Sequence, residues 1–203
     1  MAYSDLTLSK FKSSFDIYIE ENHDLFADIK PLEASDKLKG DLKETAELAL
    51  AINTEKARSE MIILPILLEI RRRSNYQTSL FSGTNFDVDI EKGLNGYCDF
   101  IISRSKEQLL INAPVTIIIE AKNENIKNGL GQCAGAMLAA QIFNQRKNND
   151  ISTIYGAVTT GDIWKFLKLE SSSLFIDLNN YYIKELGEIL GILSQSFTLN
   201  GKQ

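Results

Sequence analysis

Three observations predict an α/β fold with a mixed central sheet flanked by helices. Apolar residues recur at helical spacing in the first third of this 203-residue chain. Runs rich in β-branched and aromatic residues at 97–103 (YCDFIIS) and 115–122 (VTIIIEAK) have strand character. A helix of small residues at 128–145 separates these from three more strand-like runs. Helices, strands, helix, strands, helix is the order of an α/β sandwich, and the length suits one domain over 1–203.

Residues 8–21 read as a helix, with Leu8, Phe11, Phe15, Tyr18 and Ile19 on one face. Residues 36–73 are helical in composition, with a break expected near Asn53 and Thr54 and a kink at Pro65, which lacks a backbone donor. Arg71, Arg72 and Arg73 end that segment, where cations suit the helix dipole. Residues 82–85, with Gly83, are turn-like, and 86–90 alternate as a strand does. Ile117, Ile118 and Ile119 are consecutive, as expected of a central strand covered on both faces. In 128–145, Gly131, Ala134, Gly135, Ala136, Ala139 and Ala140 allow close packing on a sheet. Strands are predicted at 154–160, 164–170 and 174–178, with a hairpin turn at Thr160-Gly161-Asp162, and a closing amphipathic helix at 183–197. The chain thus divides into an acidic helical extension (1–50), a core (about 55–160) and added strands with a closing helix (161–203).

Composition narrows the chemistry. Apolar residues make up 44% and charged residues 24%, an ordinary globular balance that excludes collagen-like and disordered chains. The longest apolar stretch, 61–68, is interrupted by Pro65 and is far short of the roughly 20 residues that span a bilayer. No signal-peptide core is seen, so a cytoplasmic location is expected, with no membrane partner. Cys98 and Cys133 have no metal-ligand spacing and read as small core residues. The single histidine, His23, reads as a surface helix residue; it excludes multi-histidine zinc sites and HExxH peptidases. Hydrolytic chemistry must therefore use carboxylates, Lys, Ser, Cys or an oxygen-held metal. The net charge of −5 lies wholly in residues 1–50, with 6 Lys against 11 Asp and Glu. Local clusters, rather than that total, set the field a nucleic acid would meet.

Three [DE]-x-K tripeptides occur: Asp28-Ile-Lys30, Asp41-Leu-Lys43 and Glu120-Ala-Lys122. Only the last closes an apolar strand, where a period of two puts Glu120 and Lys122 on one face, about 7 Å apart. Asp99, on the preceding strand, reaches Glu120 if the two pair in register. Charges at such a position cost desolvation energy unless compensated. A hard divalent cation would compensate, and oxygen ligands select Mg²⁺ or Mn²⁺ over Zn²⁺. Glu60 falls on the apolar face with Leu64, Leu67 and Leu68; Glu55 and Glu69 take that role if the helix has another phase. Singly, such residues more often form structural ion pairs of little energy. Trp164 reads as packing, and Gly129-x-Gly131 lacks the rest of a dinucleotide fingerprint.

The ordered set Glu60, Gly96-Tyr-Cys-Asp99, Glu120-x-Lys122 and Gln132 resembles the PD-(D/E)XK nuclease superfamily, the restriction-endonuclease-like fold with an αβββαβ core. Cys98 stands where the family's motif often has proline. The resemblance implies that Asp99 and Glu120 ligate Mg²⁺ (or Mn²⁺) with help from Glu60, and that Lys122 positions or helps deprotonate the attacking water. Gln132 resembles the glutamine many branches carry on the following helix. The implied activity is a restriction-like DNA endonuclease, which would act as a homodimer if both strands are cut. A catalytically inactive nuclease-fold module binding nucleic acid or a protein is the alternative. A small-molecule hydrolase is disfavoured, since there is no nucleophile elbow or phosphate-cradling loop. The clusters Lys56/Arg58, Arg71–Arg73, Lys122/Lys127 and Arg146/Lys147 are candidate phosphate contacts.

Overall fold

The computed structural model describes residues 2–149 and 151–198. After a 3₁₀ turn at Tyr3–Asp5, α1 (Leu8–Ser14) leads into β1 (Tyr18–His23). The helix expected over 8–21 therefore ends early. Ile17 and Ile19 are β-branched and pack inward while Tyr18 is 69% exposed, an alternation that a helical reading of Tyr18 and Ile19 obscures. His23 accordingly ends an exposed edge strand, beside Glu20 at 2.8 Å, and the first 50 residues contribute to the sheet.

α2 (Asp36–Ile52) is capped by the Ser35 side chain and stops at Asn53, which adopts the left-handed conformation (φ 53°). α3 (Glu55–Arg58) is capped by Thr54 and runs through a π turn at Ser59–Ile63 into α4 (Leu64–Arg73). Pro65 lies in the first turn of α4 and cannot donate to the carbonyl of Met61. The Thr45 hydroxyl of α2 donates to that carbonyl instead, at 2.6 Å. The expected kink takes the form of this widened π turn.

The strands are β2 (Ser79–Asn85), β3 (Tyr97–Ser103), β4 (Val115–Ala121), β5 (Thr153–Thr159), β6 (Ile163–Glu170), β7 (Ser173–Asp177) and β8 (Tyr181–Tyr182). They form an eight-stranded mixed sheet in the order β1-β7-β6-β5-β4-β3-β2, with β8 beside β6. β4 pairs antiparallel to β3 and parallel to β5, and every one of its residues is buried. Residues 82–85 form the end of β2, not a turn; polar residues suffice there because β2 is an edge strand. Residues 86–90 do not form a strand. Their amides bond back to Gly96 and Leu94 in a closed loop, and a lone bridge joins Asp89 to Leu94.

The parallel crossover from β4 to β5 is α5 (Ile126–Arg146), which covers one face of the sheet together with α1. α2, α4 and the closing helix α6 (Leu186–Thr198) cover the other. The small residues of α5 face two ways. A Cβ on Gly131 would sit 2.5 Å from the Leu6 carbonyl oxygen, so the N-terminal segment lies directly on the helix. At the far end of α5, the Asn144 side chain both donates to and accepts from the backbone of Val115, at 2.8 Å each, and fixes the start of β4. Among the described residues, no helix is long and apolar enough to cross a membrane.

Candidate active site

The site forms where β3 and β4 part. The last paired residues are Phe100 and Ile119, so one step further Asp99 stands opposite Glu120. There the ladder gives way to a side chain: the Ala121 amide donates to Asp99 Oδ2 at 2.8 Å. This bond holds the Asp99 carboxylate against the end of β4, within hydrogen-bonding reach of the Glu120 carboxyl. Lys122 lies two residues on, on the same face as Glu120, and its ammonium donates to Glu120 Oε1 at 2.5 Å. Its backbone amide bonds to the Thr159 carbonyl of β5, fixing the root of the side chain. Asp99, Glu120 and Lys122 therefore converge.

Glu120 is 2% exposed. Burial pushes its carboxyl well above the ordinary value of 4.5, the Asp99 charge pushes it further, and Lys122 offsets only part of this. Burial alone would lower Lys122, but the charges of Glu120, Glu55 and Asp99 outweigh it and hold the amine above its ordinary value of 10.5. The amine is thus a protonated cation at neutral pH. Burial also raises the Cys98 thiol above its normal range, and the Glu120 and Asp99 charges add to this, so it is inert packing.

The helical segment supplies a third carboxylate, Glu55 rather than Glu60. Glu60 is exposed and lies 3.9 Å from Lys56. The π turn inserts a residue into the helical period, so counting back from Leu64 by 3.6 misplaces the face. Glu55, in the first turn of α3, is also exposed, at 46%, but reaches within 4.0 Å of the Lys122 amine, and partial desolvation raises its carboxyl. α3 is anchored by Arg58, which is 8% exposed and donates to the Thr160 carbonyl at 2.6 Å and to Asp162 at 2.7 Å. The Thr160-Gly161-Asp162 turn thereby ties α3 to the strand next to β4. Neither Arg58 nor this turn is readable as a support from spacing alone.

α5 closes the site from the sheet's other side. A Cβ on Gly129 would fall 2.6 Å from Val158 Cγ1, 3.2 Å from Lys122 Cε and 3.3 Å from Glu120 Cγ, so glycine lets the helix start against these side chains. Gln132 sits one turn on, half-buried, outside the Asp99–Glu120–Lys122 contacts. Most candidate phosphate contacts are committed elsewhere. Arg58 is buried, Arg72 and Arg73 pair with Glu69, and Arg146 pairs with Asp89. Lys127 and Lys147 are exposed.

Among the described residues, no three His, Cys, Asp or Glu side chains are already gathered to hold a metal ion. The Asp99–Glu120 pair still fits Mg²⁺, which takes one or two carboxylates and fills its shell with water and substrate phosphate oxygens. Ionised, Glu55, Asp99 and Glu120 face a single ammonium, a deficit of two charges that one divalent cation would offset. Comparison of the chain with protein-family models, curated proteins and solved structures gives no match.

Proposed function

We propose that this chain is a Mg²⁺- or Mn²⁺-dependent nuclease with a restriction-endonuclease-like core of PD-(D/E)XK type, hydrolysing phosphodiester bonds in DNA. The convergence of Asp99, Glu120 and Lys122 at the β3–β4 fork carries the reading. The order α4, β2, β3, β4, α5, β5, with β5 parallel to β4, agrees with an αβββαβ core and supports it.

Asp99 and Glu120 would hold the metal ion. When bound, it offsets their mutual repulsion and draws charge from a phosphoryl oxygen. Lys122 stays protonated and supplies a fixed positive charge where negative charge develops on the phosphate. Hydrolysis joins a water oxygen to phosphorus and expels a sugar oxygen. Glu55, at the solvent side of Lys122 with a carboxyl raised by partial desolvation, accepts the water proton. The Ala121 amide keeps Asp99 aimed at the pair throughout, and Arg58 keeps α3 in place.

Purified protein with Mg²⁺ or Mn²⁺ should cut plasmid or single-stranded DNA. Lys122→Ala or Asp99→Ala should lower cutting by about 10³-fold or more while the circular dichroism spectrum is unchanged. Equal cutting by these variants would sink the proposal, as would intact folding with no cutting and no Mn²⁺ binding. The last result would favour the non-catalytic binding module.

A further inference from the structure

The sheet face that carries Glu120 continues past the candidate site. Glu120 is in register with Val158 of β5, and Val158 with Lys165 of β6. Paired residues point to the same face, so Lys165 stands in one row with Glu120, two strand spacings or about 10 Å away. The first turn of α5 crosses this row at Gly129, over Glu120 and Val158. Beyond it a cavity of about 940 Å³ opens between α1, the start of α5, the start of β6 and the end of β7. Its walls are aliphatic, from Leu8, Ile126, Leu130, Ile163 and Ile176, and Lys127 and Lys165 stand on it.

Lys165 is held in place. Its ammonium donates to the carbonyls of Leu178 and Asn179 at 3.1 and 3.2 Å, and an ammonium has a third donor. Burial lowers the amine from its ordinary 10.5, against the charges of Asp177 and Glu21, so a nearby anion would stabilise the cation. A structural role, pinning the chain between β7 and β8, accounts for the two carbonyl bonds. It does not account for the cavity between this amine and α5, or for the row shared with Glu120.

The charge of the lining selects the occupant. Glu21 and Glu124 are exposed residues of the cavity, whereas the Asp177 carboxylate accepts from the Leu25 amide and the Tyr181 hydroxyl, which belong to the opposite face. Carboxylates repel a phosphate inside the cavity, yet they accept hydrogen bonds from the exocyclic amines of bases. Aliphatic walls favour a flat, neutral group over a charged one. A nucleobase has this chemistry, and its phosphate would stay outside on the row, at Lys165.

We propose that the cavity receives the base of an unpaired nucleotide beside the cut bond, with Lys165 holding its phosphate, so that the substrate is a single strand. A base in a duplex is stacked and paired and would have to be extruded to enter. The inference rests on the nuclease reading, and it is tested by binding without metal so that the two can fail separately.

Fluorescence anisotropy at low salt in EDTA would use a labelled mixed-sequence single strand, the same backbone without bases, and a hairpin duplex. The intact strand should bind about tenfold or more tighter than either of the others. Lys165→Ala should weaken the intact and abasic strands alike and lower the slope of log affinity against log salt by about 1, and Lys165→Arg should restore both. Ile163→Trp, which fills the cavity, should weaken the intact strand about tenfold and leave the abasic strand unchanged. Leu178→Trp, on the exposed rim, should act in the same direction and covers failure of the first variant to fold. Equal affinity for intact and abasic strands, tighter binding of the hairpin, or no binding of any probe would overturn the proposal, even if the protein cuts DNA in Mg²⁺. Base-dependent binding without cutting would count against the nuclease reading alone.

Discussion

Glu69 and Glu120 are both glutamates, at 3% and 2% exposure, and burial pushes both carboxyls upward. For Glu69 the push is overcome. Ser35 donates to it from both backbone and hydroxyl, and Arg72 and Arg73 donate from two further directions, so its carboxyl ends below the ordinary 4.5. For Glu120, Lys122 is the one cation that donates among the described residues, a second carboxylate lies alongside within hydrogen-bonding reach, and the group ends well above 4.5. The first glutamate ties the end of α4 to the cap of α2; the second stands at a strand end with its charge unresolved. A buried acid with every partner in place reads as structure, and one left short reads as a candidate site.

The largest effect that could break this contrast is on cutting. Glu120→Gln should lower DNA cleavage by about 10³-fold, whereas Glu69→Gln should leave the rate per folded molecule within about twofold. Comparable losses in both would erase the distinction. Next is stability, measured by thermal unfolding without metal. Glu69→Gln should cost about 2 kcal/mol, a fall of roughly 4–8 °C in Tm at neutral pH, by breaking a charged network.

The pH dependences should have opposite signs. Glu69, with its carboxyl lowered, stabilises above pH 4.5 and loses that contribution as pH falls through its folded value. Glu120, with its carboxyl raised, favours the fold below pH 4.5, and that contribution is lost as pH rises towards its folded value. Glu120→Gln should therefore flatten the decline of Tm above pH 4.5 that Glu69→Gln leaves in place. The smallest effect separates two acids of one segment: Glu55→Gln should slow cutting about tenfold or more, and Glu60→Gln should leave it unchanged. The reverse would restore the helical phase read from Leu64, Leu67 and Leu68.

Long, uniform elements were legible in the sequence because one physical pattern dominates each. β3, β4, α5 and the three later strands stand close to where their β-branched runs and small residues place them. The convergence of Asp99, Glu120 and Lys122 followed from strand parity and register. What failed had local causes. At 8–21 a helix and a strand share an apolar pattern that either period fits in part. At 82–90 an edge strand looks polar, and a looped segment imitates alternation. Glu60 was misplaced because the π turn, stabilised by a Thr45 bond from another helix, leaves no mark in spacing. Arg58 and Arg72–Arg73 resembled surface charge, since their partners Asp162 and Glu69 become visible only in three dimensions or at a helical phase not chosen.

Calorimetric titration of the metal-free protein with Mn²⁺, in two buffers of different ionisation enthalpy, tests most directly whether Asp99 and Glu120 form a cation site. Binding should release more protons as pH is lowered, because the raised Glu120 carboxyl must ionise to ligate. Asp99→Asn should weaken it at least tenfold, and Glu69→Gln should not change it. No Mn²⁺ binding by the folded protein, or equal binding and proton release in Asp99→Asn, would contradict the account.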